Sequence, residues 1–454
     1  MYKILLALLF PLTISAQSNW EGIGNSFFGG VGGFAQVYED TVENVLYVPF
    51  HGFFPQEGYY IGVWDGDDWD YIGPMNGEPY AVIRYNDDIL VGGNFSVIEN
   101  DTVSYLAKWN GQNWESFGFD TDGPVWKFKI YEDNLFVVGG FYTLGGQTCN
   151  QIAMWDGSNW SNEYSFIDSQ GVVFEVGMFK NELYAGGTIS VPEKGIRGVA
   201  VYRNGEWISP GNGFAGSLVY VDNLIEYKGR LYATGQFSEA NGNVGNSFQV
   251  WDGSIWQKVG SGITGVVNAR VFSVQKLNDK LYIGGNFIFA GNIPAFGLVS
   301  WDGEKFCKVK GDFVNPVVLR VGTYSENLVI FTNSPIIDND TVDHIAIWKG
   351  GDYIDTCGQK IHLIPVFTET IDNFNSVNIF PNPTQSHISI SLPENLPEIG
   401  ISIYDATGRE VYRRESFTND SKIQLDVSGF IPGLYFVKLK SKEKRYQGRF
   451  VVLE

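Results

Sequence analysis

Three observations predict an all-β protein. The phrase LYIGGNF at Leu281–Phe287 recurs as ILVGGNF (Ile89–Phe95), LFVVGGFY (Leu135–Tyr142), LYAGG (Leu183–Gly187) and LYATGQF (Leu231–Phe237). Each copy is followed by an apolar run and a turn flanked by aromatic residues, as in WDGSNW at Trp155–Trp160. Seven stretches of strand-like alternation precede them, beginning near residues 35, 80, 125, 171, 218, 266 and 317. A period of about 47 residues carrying four short strands is that of a propeller blade. The fold class that follows is a seven-bladed β-propeller plus a small C-terminal Ig-like β-sandwich.

Taken in order, the chain opens on Met1–Ala16, where Lys3 precedes an apolar run and small residues lead to Ala16-Gln17. That order predicts a signal peptide cleaved after Ala16, and hence export. Residues 17–357 are the expected propeller, 358–376 a linker and 377–454 the second domain. No apolar segment of membrane-spanning length interrupts the body.

Within a blade, the third repeat serves as the pattern. Val125–Ile130 alternates as an innermost strand, Leu135–Val138 forms the second, Ile152–Trp155 the third, and Trp160 opens the fourth. Asp-Gly and Asn-Gly between β-prone runs are hairpin signals, because Gly accepts positive φ. The turn aromatics are Trp64 and Trp69, Trp109 and Trp114, Trp155 and Trp160, Tyr202 and Trp207, Trp251 and Trp256, Trp301 and Phe306, and Trp348 with Tyr353. Their first members are spaced 45, 46, 47, 49, 50 and 47 residues apart. Such regular repetition reads as core between successive sheets, with the double Gly allowing backbones to approach. Trp20 adds an eighth fourth-strand aromatic where seven blades need seven. The expectation is that the strand of Trp20 closes the last blade and removes an open edge.

These phrases resemble kelch-type propellers, and GGNF followed by IA-x-WDG-x-x-W is similar to the propeller repeats of fungal cortical-marker surface proteins. The likeness covers about residues 19–357 and implies fold, since this fold hosts binders and enzymes alike.

After the linker come Phe380-Pro381-Asn382-Pro383, then Tyr404-Asp405 with Gly408-Arg409, then Gly433-Leu434-Tyr435. These positions resemble the type A C-terminal sorting domain of the type IX secretion system. The resemblance implies the secretion machinery as partner, passage through the periplasm, and release or attachment at the outer cell surface.

Charge and chemistry narrow the function classes. Residues 377–454 carry 10 Lys+Arg against 9 Asp+Glu, so the remainder carries 21 against 42, a net charge of −21. That acidity disfavours nucleic acid as a partner. Of three cysteines, Cys307 and Cys357 follow equivalent turns and are the natural pair for a disulfide, with Cys149 left over. There is no G-x-S-x-G elbow, H-E-x-x-H or P-loop. His51 and His344 fall in the first and seventh repeats, which ring closure makes neighbours, so a metal there is one option. The loop acids Glu99, Asp101, Asp120, Asp122, Asp168, Glu239 and Asp312 should share one face around the channel, where solvated loop acids or a calcium site are the alternatives. Connections are short and uniform, without an insertion to form a lid. The expectation is a binding protein recognising glycan or protein, without a cofactor. The competing readings are a secreted carbohydrate-active enzyme using these acids, and a structural surface component.

Overall fold

The computed structural model describes residues 19–24, 28–30, 35–52, 58–110, 112–117, 120–166, 170–211, 213–240, 243–265, 269–349, 354–361, 375–392, 399–405, 409–414, 422–441 and 445–453. Residues 1–18, and with them the expected signal peptide and cleavage site, lie outside the described residues, as do Tyr353, Asp168 and Gly408. The chain divides into two compact units, Met1–Val366 and Phe367–Glu454. Among the described residues it is all-β, with one short 3₁₀ turn at Pro192–Lys194.

The first unit contains seven sheets of four to seven strands and four smaller ones among the described residues. Six of the large sheets start from the innermost strands Pro79–Tyr85, Val125–Tyr131, Val173–Phe179, Tyr220–Tyr227, Arg270–Leu277 and Val318–Tyr324. Each runs outward antiparallel from its innermost strand, as the alternation and turn signals require. In the remaining sheet Tyr38–Asp40 pairs with Val45–Gly52. Innermost strands pack against one another in sequence order, and Val318–Tyr324 packs against Tyr38–Asp40, so the order of sheets closes on itself.

A repeated hydrogen bond marks the joints. Tyr85 donates its hydroxyl to the Asp133 carbonyl at 3.1 Å, Tyr227 to Asp279 at 2.7 Å, and Tyr324 to Asn44 at 3.1 Å. The seam between the last sheet and the first thus uses the same contact as joints inside the chain. Trp20 completes the last sheet: Trp20–Gly22 pairs antiparallel with Ile345–Trp348, Trp20 opposite Trp348. The following strand, Ile354–Cys357, goes elsewhere. It pairs with Phe306–Val309 as a fifth strand of the preceding sheet, where Cys307 and Cys357 form a disulfide. Residues 358–361 stay with that sheet, Gly358 donating to the Phe306 carbonyl and Ile361 to that of Glu304.

The two glycines of the recurring phrase do different work. A Cβ on Gly92 would come within 2.5 Å of the Val125 side chain of the next sheet, and one on Gly93 within 2.4 Å of the Glu78 carbonyl beside it. One glycine admits the neighbouring sheet and the other admits the bulged backbone of its own. Where the last sheet has Thr332 instead, its hydroxyl donates to the corresponding Val317 carbonyl at 2.8 Å.

The turn aromatics are packed as pairs, with Trp109 and Trp114, Trp155 and Trp160, and Trp251 and Trp256 each 5.2–5.3 Å apart. Trp64 with Trp69, Tyr202 with Trp207, and Trp301 with Phe306 pair likewise. Several indoles also tie sheets together: Trp69 donates to the Ile23 carbonyl, Trp207 to Tyr164, Trp256 to Pro210, and Trp20 to Lys310. Burying a large aromatic while giving its N–H a partner avoids the cost of an orphaned donor.

In the second unit, Gly433–Lys440 lies between Arg445–Val452 and Gly400–Asp405 in a five-stranded sheet, and His387–Ser391 joins Asn378–Phe380 to Lys422–Asp426 in a three-stranded one. Ile388, Ile390, Ile403, Leu425, Val437 and Phe450 share the core of both sheets. Asn375–Ser376, inside the segment read as linker, already pairs with the last strand.

Candidate functional site

The candidate site begins with a backbone irregularity that the sequence reading missed. Val125–Tyr131 is not a regular alternating strand: its register slips between Val125 and Lys127. The same slip follows Pro79, Val173, Val221, Val271 and Val318 in the other innermost strands. A β-bulge re-aims side chains at a strand end. In a regular strand adjacent residues point to opposite faces. Here Trp126 with Lys127, Phe174 with Glu175, Asp222 with Asn223, and Phe272 with Ser273 all line one central cavity. In four of these strands the two residues at and after the bulge both reach the cavity wall.

This cavity holds about 160 Å³ between the innermost strands. Glu175 lies on its wall, almost fully buried, and accepts from Lys127 at 2.8 Å, from Lys129 at 3.4 Å and from the Val176 amide at 3.0 Å. Arg270 forms a two-pronged pair with Asp222, at 2.7 and 2.6 Å, and lies 4.5 Å from the Tyr220 ring centroid. The buried Arg320 donates to the carbonyls of Ala35 and Leu319. Gln36 fills part of the space, its amide bonded in both directions to the Phe128 backbone. Burial pushes the Arg320 guanidinium down to about 10. Burial also holds Lys127 below its ordinary value, against the pull of Glu175 and helped by the charges of Lys129 and Arg320.

At the bulged end of the innermost strands sits a collar of small hairpins. Segments entering the innermost strands bridge to hairpins that follow the second strands, as Thr121 does to Leu144, Phe214 to Ala240 and Ile263 to Ala290. The two loop sets therefore meet at one end of the ring, the end where the bulges lie. This collar exposes large apolar side chains: Tyr142, Leu218, Phe289, Phe296 and Val314. A groove of about 290 Å³ between the fifth and sixth sheets opens among them, lined by Leu218, Gln236, Ser238, Asn246, Ser247 and Thr264.

Six of the seven acids singled out from the sequence, all but Asp168, lie at described positions in this collar, and two of them, Asp122 and Asp101, serve the backbone. Asp122 accepts from the Tyr142 and Thr143 amides at 2.8 and 2.9 Å. Burial raises its pKa, but those donors outweigh the effect and leave it below the usual carboxylate range. Asn76 makes the same two bonds, to Ser96 and Val97, without a charge. Asp101 accepts from the Trp114 amide at 3.1 Å. Asp312 is exposed, its amide donating to Asp338 at 2.8 Å, with Lys308 3.9 Å from its carboxylate. Glu99 occupies a positive-φ turn, Asp120 is exposed, and Glu239 lies on the short strand Glu239–Ala240. The ring of His344 faces the Thr332 carbonyl at 3.1 Å and that of His51 faces Tyr59. No three His, Cys, Asp or Glu residues gather as a metal centre among the described residues.

In the second unit, the singled-out motifs converge on two strands. Asn382 donates to the Arg449 carbonyl and accepts from the Val451 amide, both at 3.0 Å, laying Phe380–Pro383 along the last strand. Asp405 binds the Arg409 amide and guanidinium, both at 3.1 Å, and lies opposite Tyr435. Tyr435 in turn donates to the Ile431 carbonyl at 2.6 Å and stacks on Phe450.

These features define an all-β chain made of a closed order of sheets and a sandwich tail. Residues 378–453 match the family model described as Secretion system C-terminal sorting domain. The tail marks the chain for handling by the type IX secretion machinery, and so as a secreted or surface protein. Comparison with curated proteins finds no match. No helix among the described residues is long and apolar enough to cross a membrane.

Proposed function

We propose that this is an exported binding protein whose first unit is a seven-bladed, kelch-like propeller and whose bulged end recognises a glycan. The signal peptide would carry it into the periplasm, and the tail would then direct it to the cell surface or beyond. The observation that carries the reading is the run of adjacent residues, from Trp126-Lys127 to Phe272-Ser273, that share the cavity wall. The bulges of four innermost strands bring aromatics and charges together at the end of the ring that carries the collar of exposed aromatics. Aromatic faces beside a few convergent polar groups suit ligand recognition. The acidic body disfavours nucleic acid.

The competing enzyme reading needs a free carboxylate pair, and the collar acids offer little toward one. Asp122 and Asp101 are spent on backbone amides. The test is a screen of the whole protein against polysaccharides and glycoproteins, with each hit assayed for cleavage. Saturable binding that leaves the polymer intact supports the proposal. Chain shortening abolished by one acid-to-amide substitution would replace it with the enzyme reading.

A further inference from the structure

The body is strongly acidic, yet its central cavity is not. Lys127, Lys129 and Arg320 line it with Glu175 and Asp222, and Arg270 pairs with Asp222. These six side chains comprise four cations and two carboxylates. Two lysines share Glu175, so one positive charge is left over there, and the buried Arg320 stands on the same cavity wall. Positive charge held in a narrow, low-dielectric cavity attracts anions more strongly than the same charge on a surface.

Size and surroundings restrict the anion. At about 160 Å³ the cavity is smaller than the roughly 300 Å³ of pockets that enclose whole ligands, so it suits one end group. A polyanion would meet the acidic body around the opening, whereas a single charge would not be repelled in the same degree. At the wall stand the rings of Trp126, Phe174 and Phe272, with Tyr220 parallel to Phe174 at 6.3 Å. Such rings present faces for the C–H surface of a sugar.

We propose that the central cavity binds a single carboxylate borne on a sugar ring, with Lys127, Lys129 and Arg320 meeting the charge and Trp126 and Phe174 meeting the ring. This rests on the reading of the bulged end as a glycan-recognising surface and names the ligand class. Lys127 would then share its ammonium between Glu175 and the incoming carboxylate.

The test is calorimetric titration of the whole protein at low salt with D-glucuronate, glucose, acetate and N-acetylaspartate. Glucuronate is expected to bind saturably at one site, at least about tenfold more tightly than glucose or acetate. Lys127→Met should weaken glucuronate by at least about tenfold and leave glucose unchanged, and Trp126→Ala should weaken both sugars. If Lys127→Met lowers the unfolding temperature, Lys129→Met serves in its place, since Lys127 still holds Glu175 there. Equal affinity for glucuronate and glucose, tighter binding of N-acetylaspartate, or insensitivity to both lysine substitutions would overturn the proposal. Neutral glycans binding the whole protein while glucuronate does not would sink this inference and leave glycan recognition standing. Absence of any glycan binding would sink both.

Discussion

Trp20 lies directly opposite Trp348 in an antiparallel pair, their rings 5.0 Å apart and nearly edge to face. One comes from the start of the ring-forming segment and the other from its end, so this strand pairing joins the two ends within one sheet. Trp20 is almost fully buried and its indole donates to the Lys310 carbonyl at 2.8 Å. Trp20→Ala is therefore expected to destabilise the protein by about 3–5 kcal/mol, the range for emptying a buried tryptophan site. Urea unfolding followed by tryptophan fluorescence checks this. A loss below about 1 kcal/mol would mean that the seam contributes little.

The glycine positions make a sharper steric prediction. Gly93→Ala places a methyl against the backbone oxygen of Glu78, which has no side-chain freedom with which to withdraw. A cost of about 1–3 kcal/mol is expected, as for overpacking in a fitted core. Thr332→Val, at the corresponding place in the last sheet, removes the bond to Val317 and should cost about 1 kcal/mol. Thermal unfolding of the two variants tests whether the position demands a missing side chain or a particular one.

Glu182 supplies a pH signature. The Arg203 guanidinium holds its carboxyl below the usual range, assisted by Tyr184 and Lys180 and opposed by partial burial. A depressed folded-state pKa gives stability that is present above the unfolded value of about 4.3 and is lost as pH falls through the folded value. The pair is about one-third exposed, so its contribution should be about 0.2–1 kcal/mol. Wild type and Glu182→Gln should differ by a constant amount above about pH 5 and converge below about pH 4. Denaturation curves across that window decide the matter. A gap that widens on acidification would contradict the assignment.

The disulfide predicts a redox effect on stability. Cys307 and Cys357 enclose three strands of the last sheet between them, at a sequence separation of 50. Replacing both by Ser should lower stability by about 2–4 kcal/mol, mainly by freeing the unfolded chain. Reducing agent should shift the wild type and leave the double variant unmoved. Equal responses would show that the bond is not formed in the folded protein.

What could be read from the sequence was what repeats locally. Turn phrases such as Trp155–Trp160 encode their own geometry: Asp156 accepts from the Ser158 and Asn159 amides, and Gly157 takes positive φ. The role of Trp20 followed from counting strands against aromatics, and the cysteine pair from equivalent turns. The cavity was not legible, because VWKF reads as plain alternation unless the slip after Val125 is known. Val125-Trp126-Lys127 beside Val173-Phe174-Glu175 did carry a signal, two non-equivalent large or charged residues in a row after each valine. The convergence of Lys127, Glu175, Asp222 and Arg320 depends on how separate sheets stack, which no local pattern encodes. The loop acids were expected to share one face around the channel, but the bonds of Asp101 and Asp122 to backbone amides could be seen only in three dimensions. The strand Ile354–Cys357 was missed because the repeat has faded there.

The most direct test of the account compares binding by the two ends of the ring. A glycan that the whole protein retains would be titrated against wild type, against a Tyr142→Ser, Phe289→Ser, Phe296→Ser variant of the collar, and against Val42→Ser, which alters an exposed apolar residue outside the collar. The account predicts that the collar variant loses at least about tenfold in affinity with an unchanged unfolding temperature, while Val42→Ser binds as wild type. Undiminished binding by the collar variant, or a loss confined to Val42→Ser, would contradict recognition at the bulged end.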